Sequence, residues 1–357
     1  MQIRLLDLAA TEPGCTSVLL SLASGDLAGL GEIHLPGNEM KGAALSLLKA
    51  SSSLLENVDL RNLNVALDAV SSLTDRDSSA GTPVRAALDM ALHDLNGKLR
   101  GCPVHAMLGG SLRTEVTLSQ HFRTGLKVPR AEATAGSVLL EYRSEPSRQA
   151  ATYGKSSANG WLAAAIELLG AAVQVDIDAG GTFDNPALAR TFVESLLSKG
   201  PRLNLGLLQP LSDVDLVGHA VLCATLPIPI ILDTSVRSAQ IMGQIVRLAA
   251  ADRVVVNVER VGGLRAAMQI VSIAEAASMG VSSASFCCSA IGAAAALHVA
   301  AALHDTFPAR LDNLLTAGGT IADAGFTVTA GVARLGGAPG LGVLLRDEAT
   351  AAFEHLF

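Results

Sequence analysis

The chain has 357 residues, half of them hydrophobic and only 3% aromatic, with 26 Lys and Arg against 33 Asp and Glu for a formal charge of −7. That length favours about two domains with ample material for a core, built here mainly from Ala, Leu, Val and Ile. An acidic balance with no basic cluster and no interleaved aromatics excludes the electrostatic footprint of a nucleic-acid binder and leaves small molecules or proteins as partners.

The N-terminal residues, MQIRLLDLAA, alternate like a strand and carry no apolar stretch followed by a cleavage site, so a cytoplasmic location is expected. Residues 1 to about 35 alternate around the turn formers Pro13-Gly14 and Gly25-Asp26, which predicts a β-meander. From Lys41 to Leu73 the apolar positions return at helical spacing, as in Leu45, Leu48, Leu54 and Leu55. Thr82-Pro83 opens a strong helix over Val84 to Leu99, with Gly101 past its end. Eight β-rich runs then alternate with Ala-rich helical stretches, beginning near Val116, Ser137, Val173, Leu203, Pro229, Arg253, Val281 and Arg310. Near-continuous apolar strands alternating with helices predict a parallel sheet covered on its outer side, and eight units predict an α/β fold closed as a (β/α)₈-type barrel. Residues just past each strand then matter most. The apolar stretch Ala290 to Leu303 is mostly alanine and shorter than the roughly 18 residues of a membrane span, so it reads as a buried helix and no membrane partner is expected. Five cysteines (Cys15, Cys102, Cys223, Cys287, Cys288) show no metal spacing, and an odd number in a large chain speaks against a disulfide framework.

Four segments, in order and spanning nearly the whole chain, resemble the mandelate racemase and muconate lactonizing branch of the enolase superfamily. They are Gly29-Leu30-Gly31-Glu32; Arg85 to Lys98 with Gly101-Cys102-Pro103-Val104 and Leu108-Gly109-Gly110; Val261-Gly262-Gly263-Leu264; and Gly337 to Gly342 with its Pro-Gly-Leu-Gly ending. The resemblance implies the superfamily's modified TIM barrel over residues 113–320, an α+β capping domain over 1–112, and a C-terminal segment, 321–357, that returns to the cap. It further implies a homo-oligomer and a proton abstracted beside a substrate carboxylate, with Mg2+ stabilising the enediolate. A carbon acid so weak yields to a side-chain base only when a metal neutralises the carboxylate, hence several carboxylate ligands and a lysine or histidine base.

Carried over position by position, the resemblance leaves much of that apparatus replaced. The family's Lys-x-Lys falls on Glu141-Tyr142-Arg143, and arginine binds carboxylates but stays protonated. The family's metal ligands correspond to Asp176, Leu208 and Asp233, of which leucine is no ligand, while Asp178 stands at the neighbouring asparagine position. The second base corresponds to Asn257, an amide. Ser285 to Ser289 contain no histidine or glutamate.

Each signal has a plainer reading. Asp176 and Asp233 hold a cation if Asp178, backbone oxygens or waters complete its shell; otherwise they are hydrogen-bonded barrel residues. Arg143, with Arg123 and Arg237, forms an anion pocket for a small carboxylate, or all three are surface arginines. His121, ending the first strand, is a candidate base at the mouth, whereas His34 reads as a loop residue and His298 as packing. Cys287-Cys288 is one buried and one pocket thiol rather than a redox pair. Simultaneous replacement of the Lys-x-Lys positions, the second ligand and the second base points to a non-catalytic binding or scaffold protein. The alternative is an isomerase or lyase (cycloisomerase, racemase, epimerase or acid-sugar dehydratase class) with a rebuilt site using Asp176, Asp233 and His121 or Tyr142.

Overall fold

The computed structural model describes all residues except 1, 9–15, 36, 74–78, 123–136, 143–161, 163, 167–173, 199–203, 287–288, 305–306, 312–321 and 356–357. The alternating N-terminal segment forms an antiparallel meander of β1 (Gln2–Leu8), β2 (Thr16–Ser24) and β3 (Leu27–Leu35), turning at Gly25 with φ +61°. Its apolar face packs on α1 (Lys41–Leu55), α2 (Leu63–Leu73) and α3 (Gly81–Arg100) around Leu20, Leu22, Leu48 and Leu88.

Every residue of α3 from Ala86 to Gly97 is buried, because the helix lies between the cap sheet and the barrel. It stops at Gly101 in the left-handed conformation, φ +66°. The Gly-x-Gly of β3 explains how closely the layers approach. A Cβ on Gly29 or Gly31 would overlap the carbonyl oxygens of Ala91 or Ala87, so the strand backbone rests directly on the helix.

After α4 (Val104–Met107) comes β4 (Glu115–Thr117), and here the expectation fails. The run at Val116 was expected to open the barrel; instead β4 pairs antiparallel with a C-terminal strand. The first barrel strand is β5 (Gln120–Phe122). Both runs suit a strand, and only long-range pairing separates them. The barrel continues with β6 (Ser137–Glu141), β7 (Gln174–Asp178), α5 (Pro186–Leu197), β8 (Asn204–Leu208), α6 (Leu216–Thr225), β9 (Ile230–Leu232) and α7 (Ala239–Leu248). It ends with β10 (Arg253–Asn257), α8 (Val258–Val261), α9 (Leu264–Ala276), β11 (Gly280–Ser285), α10 (Ala290–Ala302) and β12 (Arg310–Leu311). Strands β5 to β12 lie side by side in chain order, each parallel to the next. A parallel bridge between Leu118 and Ala309, with Ser119 N donating to Ala309 O at 2.9 Å, joins the two edges into a barrel. Helix α10 is the buried Ala-rich stretch. Among the described residues no helix is long and apolar enough to cross a membrane.

The C-terminal part holds β13 (Ala322–Asp323), β14 (Phe326–Thr329), β15 (Val332–Leu335), β16 (Leu344–Leu345), α11 (Asp347–Ala352) and β17 (Glu354–His355). Strand β15 pairs with β4, and β17 pairs antiparallel with β1 of the cap.

Two acids of α3 pin these parts together. Asp94 accepts from Leu30 N (2.8 Å) in the hairpin, Leu341 N (2.7 Å) in the Pro-Gly-Leu-Gly segment and Lys98 Nζ (2.7 Å). Asp89 accepts from Leu264 N (2.7 Å) at the start of α9, just after Gly262 and Gly263, both at positive φ. The four recognisable segments therefore meet around one helix as docking devices between cap and barrel.

Candidate functional site

The strand ends gather the polar residues that the sequence singles out. On β5, His121 Nε2 lies 3.8 Å from Glu141 Oε2 at the end of β6, both partly exposed. Asp178 ends β7; its Oδ1 accepts from Gly180 N (2.9 Å) and its carbonyl from Tyr142 N (2.8 Å). Tyr142 packs with Phe192 and Phe183, centroids 4.6 and 6.0 Å away, and burial raises its phenol pKa. It is a packing residue of the helix layer rather than an acid at the mouth. Arg143, Arg123, Cys287 and Cys288 lie outside the described residues.

The two inherited carboxylates are both engaged by guanidinium groups. Asp176, third of the five residues of β7, receives Arg253 Nη2 of β10 on Oδ1 (3.1 Å), Arg310 Nη2 of β12 near Oδ2 (3.5 Å) and Gln174 Nε2 on Oδ1 (3.2 Å). All three charged side chains are at most 10% exposed. Gly206 makes room for this bridge, since a Cβ there would overlap Asp176 Oδ1 and Arg253 Nη2. Asp233, just past β9, is paired with Arg260 Nη1, whose guanidinium also lies 5.3 Å from the Phe286 ring. Leu208, at the remaining ligand position, is 1% exposed and packs with Leu139, Ile231, Val255 and Ala284 in the barrel interior.

This donor set does not fit a divalent cation. Magnesium needs hard oxygen ligands with lone pairs directed at it. Here one position is apolar, and the carboxylates at the other two already face arginines that a metal would have to displace. Among the described residues no group of three or more His, Cys, Asp or Glu is placed to hold a metal.

Asn257 is buried, and its Oδ1 accepts from Arg260 N (2.9 Å), capping the short helix α8. The side chain at the family's base position thus has a structural use, holding the backbone amide of Arg260. Gln209, at φ +42°, joins two mouth loops: Nε2 donates to Ser235 Oγ (2.9 Å) and Oε1 accepts from Asp233 N (3.1 Å) and Ser235 N (3.3 Å). Arg237 is more than half exposed, pairs with Asp213 and donates to Thr234 O (3.0 Å).

Beside the mouth, a cleft of about 920 Å³ runs between cap and barrel, large enough for a small-molecule ligand. Arg85 of α3, Arg237, Arg260 and Arg265 line it together with Glu259 and the His34–Phe286 stack, centroids 4.8 Å apart. Burial, and secondarily the neighbouring charge of Glu32, pushes the Glu259 carboxyl up to about 7. Arg237 and His34 are the cleft residues singled out from sequence. Arg253, Arg260, Arg310, Glu32 and Glu259 were not, although a charged residue opening the otherwise apolar run of β10 was a readable sign of an internal ion pair.

Comparison with known proteins agrees with this architecture. The N-terminal domain profile of mandelate racemase / muconate lactonizing enzyme matches residues 9–109, and a profile described as enolase C-terminal domain-like matches residues 160–349. Chloromuconate cycloisomerase of Pseudomonas sp. (strain P51) is 25% identical over 301 residues, 80% of this chain and 77% of that protein. N-succinyl-L-Arg/Lys racemase of Bacillus cereus is 26% identical over 224 residues, 62% of this chain and 58% of that protein. The solved muconate lactonizing enzyme of Pseudomonas putida superposes with a TM-score of 0.84 at 22% identity, covering 99% of this chain and 98% of that one. With both family profiles matched in order, the capped barrel closed and the signature segments meeting on α3, the chain belongs to the mandelate racemase/muconate lactonizing enzyme branch of the enolase superfamily.

Proposed function

We propose that this family member does not perform metal-assisted α-proton abstraction and instead binds a small carboxylate in the cleft between cap and barrel, with arginines supplying the positive charge. The observation that carries the reading is the pairing of Asp176 with Arg253 and Arg310 and of Asp233 with Arg260. A guanidinium is permanently charged and matches a carboxylate fork in a way that needs no metal. It is also useless as a base. Asn257, committed to capping α8, adds no proton acceptor at the position where the family carries one.

The test is calorimetric titration of Mg2+ and Mn2+ into chelator-stripped protein, with Asp233→Asn as control, alongside deuterium exchange at the α-carbon of a panel of small carboxylates. The reading expects no metal binding up to millimolar concentration and no exchange above background. Micromolar metal binding abolished by Asp233→Asn would overturn it. A second reading, an isomerase or lyase with a rebuilt site, draws on the His121 and Glu141 pair at the mouth. It expects exchange that disappears in His121→Gln.

A further inference from the structure

Where the cap meets the barrel, two acids face each other away from water. Glu32 comes from β3 of the cap and Glu259 from α8, and they are 1% and 4% exposed. A barrel serine holds each one: Ser289 Oγ donates to Glu32 Oε2, and Ser285 Oγ donates to Glu259 Oε1. Both carboxyl groups converge on Gly292 in the first turn of α10. A methyl group there would lie 2.6 Å from Glu259 Oε1 and 3.1 Å from Glu32 Oε2. Two carboxylates crowded around one dry point repel strongly if both are ionised, so one of them is protonated.

The surroundings decide which. Glu32 Oε2 also accepts from Gly292 N (3.2 Å), at the N-terminus of a 13-residue helix whose dipole favours negative charge. Around Glu259 the Ser285 hydroxyl and the backbone amides of Glu259 and Phe286 favour the charged form, but burial outweighs them. We propose that Glu32 and Glu259 share one proton, carried by Glu259, and act as a pH-sensitive latch between cap and barrel that weakens when the proton leaves.

Among the described charged groups around this junction, the contacts of Arg260 and Arg265 run to partners other than Glu259. On α3, Arg85 lies against Gly262 and Asp89 against Gly263. On α8, Arg260 is turned to Asp233, and on α9, Arg265 bonds Asp68 and Ser71. On β3, His34 bonds Ser17 and stacks on Phe286. Among the described residues, β11 and α10 bring only serines to the pair. The upward displacement of the Glu259 carboxyl to about 7 places the change near neutrality.

The test uses the full chain. Equilibrium unfolding is followed from about pH 5.5 to 9 for the wild type, Glu259→Gln, Glu32→Gln and the double variant. The native state holds a proton that the unfolded chain releases, so wild-type stability falls as the pH rises to about 7. Glu259→Gln removes that fall and Glu32→Gln makes it smaller, since burial still raises the Glu259 carboxyl, and the double variant gains nothing over Glu259→Gln, because one substitution already relieves the repulsion. In the wild type itself, infrared spectroscopy shows a protonated-carboxyl C=O band below neutrality that vanishes at alkaline pH. Hydrogen exchange, corrected for its intrinsic pH dependence, loses protection first at β3 and the opening turn of α10. A pH-independent wild type, a Glu259→Gln variant that keeps the fall, a Glu32→Gln variant that leaves it undiminished, additive single effects, uniform loss of protection, or no titrating carboxyl band would each overturn the proposal.

Discussion

Asp176→Asn separates a metal ligand from a structural counter-ion. If the side chain served chiefly to bind a cation, losing its charge would remove a repulsion and leave stability of the metal-free protein unchanged or higher. Its actual neighbours predict the reverse. Among the described residues Asp176 is the only acid bonded to Arg253 and Arg310, which are 9% and 6% exposed, and Gln174 adds a neutral hydrogen bond. The substitution leaves two guanidinium groups in the barrel interior without a counter-charge, and removal of one member of a buried ion pair typically costs about 3–5 kcal/mol. Urea or guanidinium unfolding, comparing midpoints at constant m, measures the loss. Arg253→Met combined with Asp176→Leu, which substitutes apolar groups for both members, should recover part of it, with Arg310 then the remaining charge. A loss under about 1 kcal/mol for Asp176→Asn, with m unchanged, would show that the carboxylate is not the counter-ion of these arginines.

Three further outcomes follow from other parts of the structure. Gly31→Ala should destabilise the chain by about 1–3 kcal/mol or more, since its methyl group meets the backbone of Ala87 rather than a movable side chain; a denaturation midpoint equal to wild type would contradict the close approach of β3 to α3. Asp94→Ala strands Leu30 N, Leu341 N and Lys98, and should cost about 3 kcal/mol or more by the same assay, with the C-terminal segment cleaved faster in limited proteolysis. Burial beside His105 lowers the His298 pKa from 6.5 to about 4, so the native state binds fewer protons than the unfolded chain between those values. Stability is therefore full above about 6.5 and declines as the pH falls toward 4, by up to about 1.4 kcal/mol per pH unit; His298→Asn should make that acid limb shallower, and an identical limb would refute it.

The family signature names residues whose roles differ from those the resemblance suggests. Glu32 closes the Gly-x-Gly-Glu run and looks like the end of a hairpin, yet it bonds Ser289, 257 residues away, and shares a dry junction with Glu259. Asp89 and Asp94 sit in the most recognisable helix of the chain and hold backbone amides 175 and 247 residues further on. Asn257, at the base position, caps a helix of four residues through the backbone amide of Arg260, the residue whose side chain pairs with Asp233.

Local patterns determined the barrel. Apolar runs with strand length, separated by helical spacing, report which backbone forms and which face is buried, because burial periodicity is written in adjacent residues. The same patterns marked the buried helix α10 and the end of α3 at Gly101. Local pattern could not separate β4 from β5, since both satisfy the same preferences and differ only in the strand that pairs with them, nor could it see that Asp176 faces Arg253 across 77 residues. Partner choice across a closed barrel depends on strand register and on the room left by Gly206, properties of the folded chain as a whole. Whether an inherited carboxylate meets a cation as a metal or as an arginine was thus decided by tertiary structure alone.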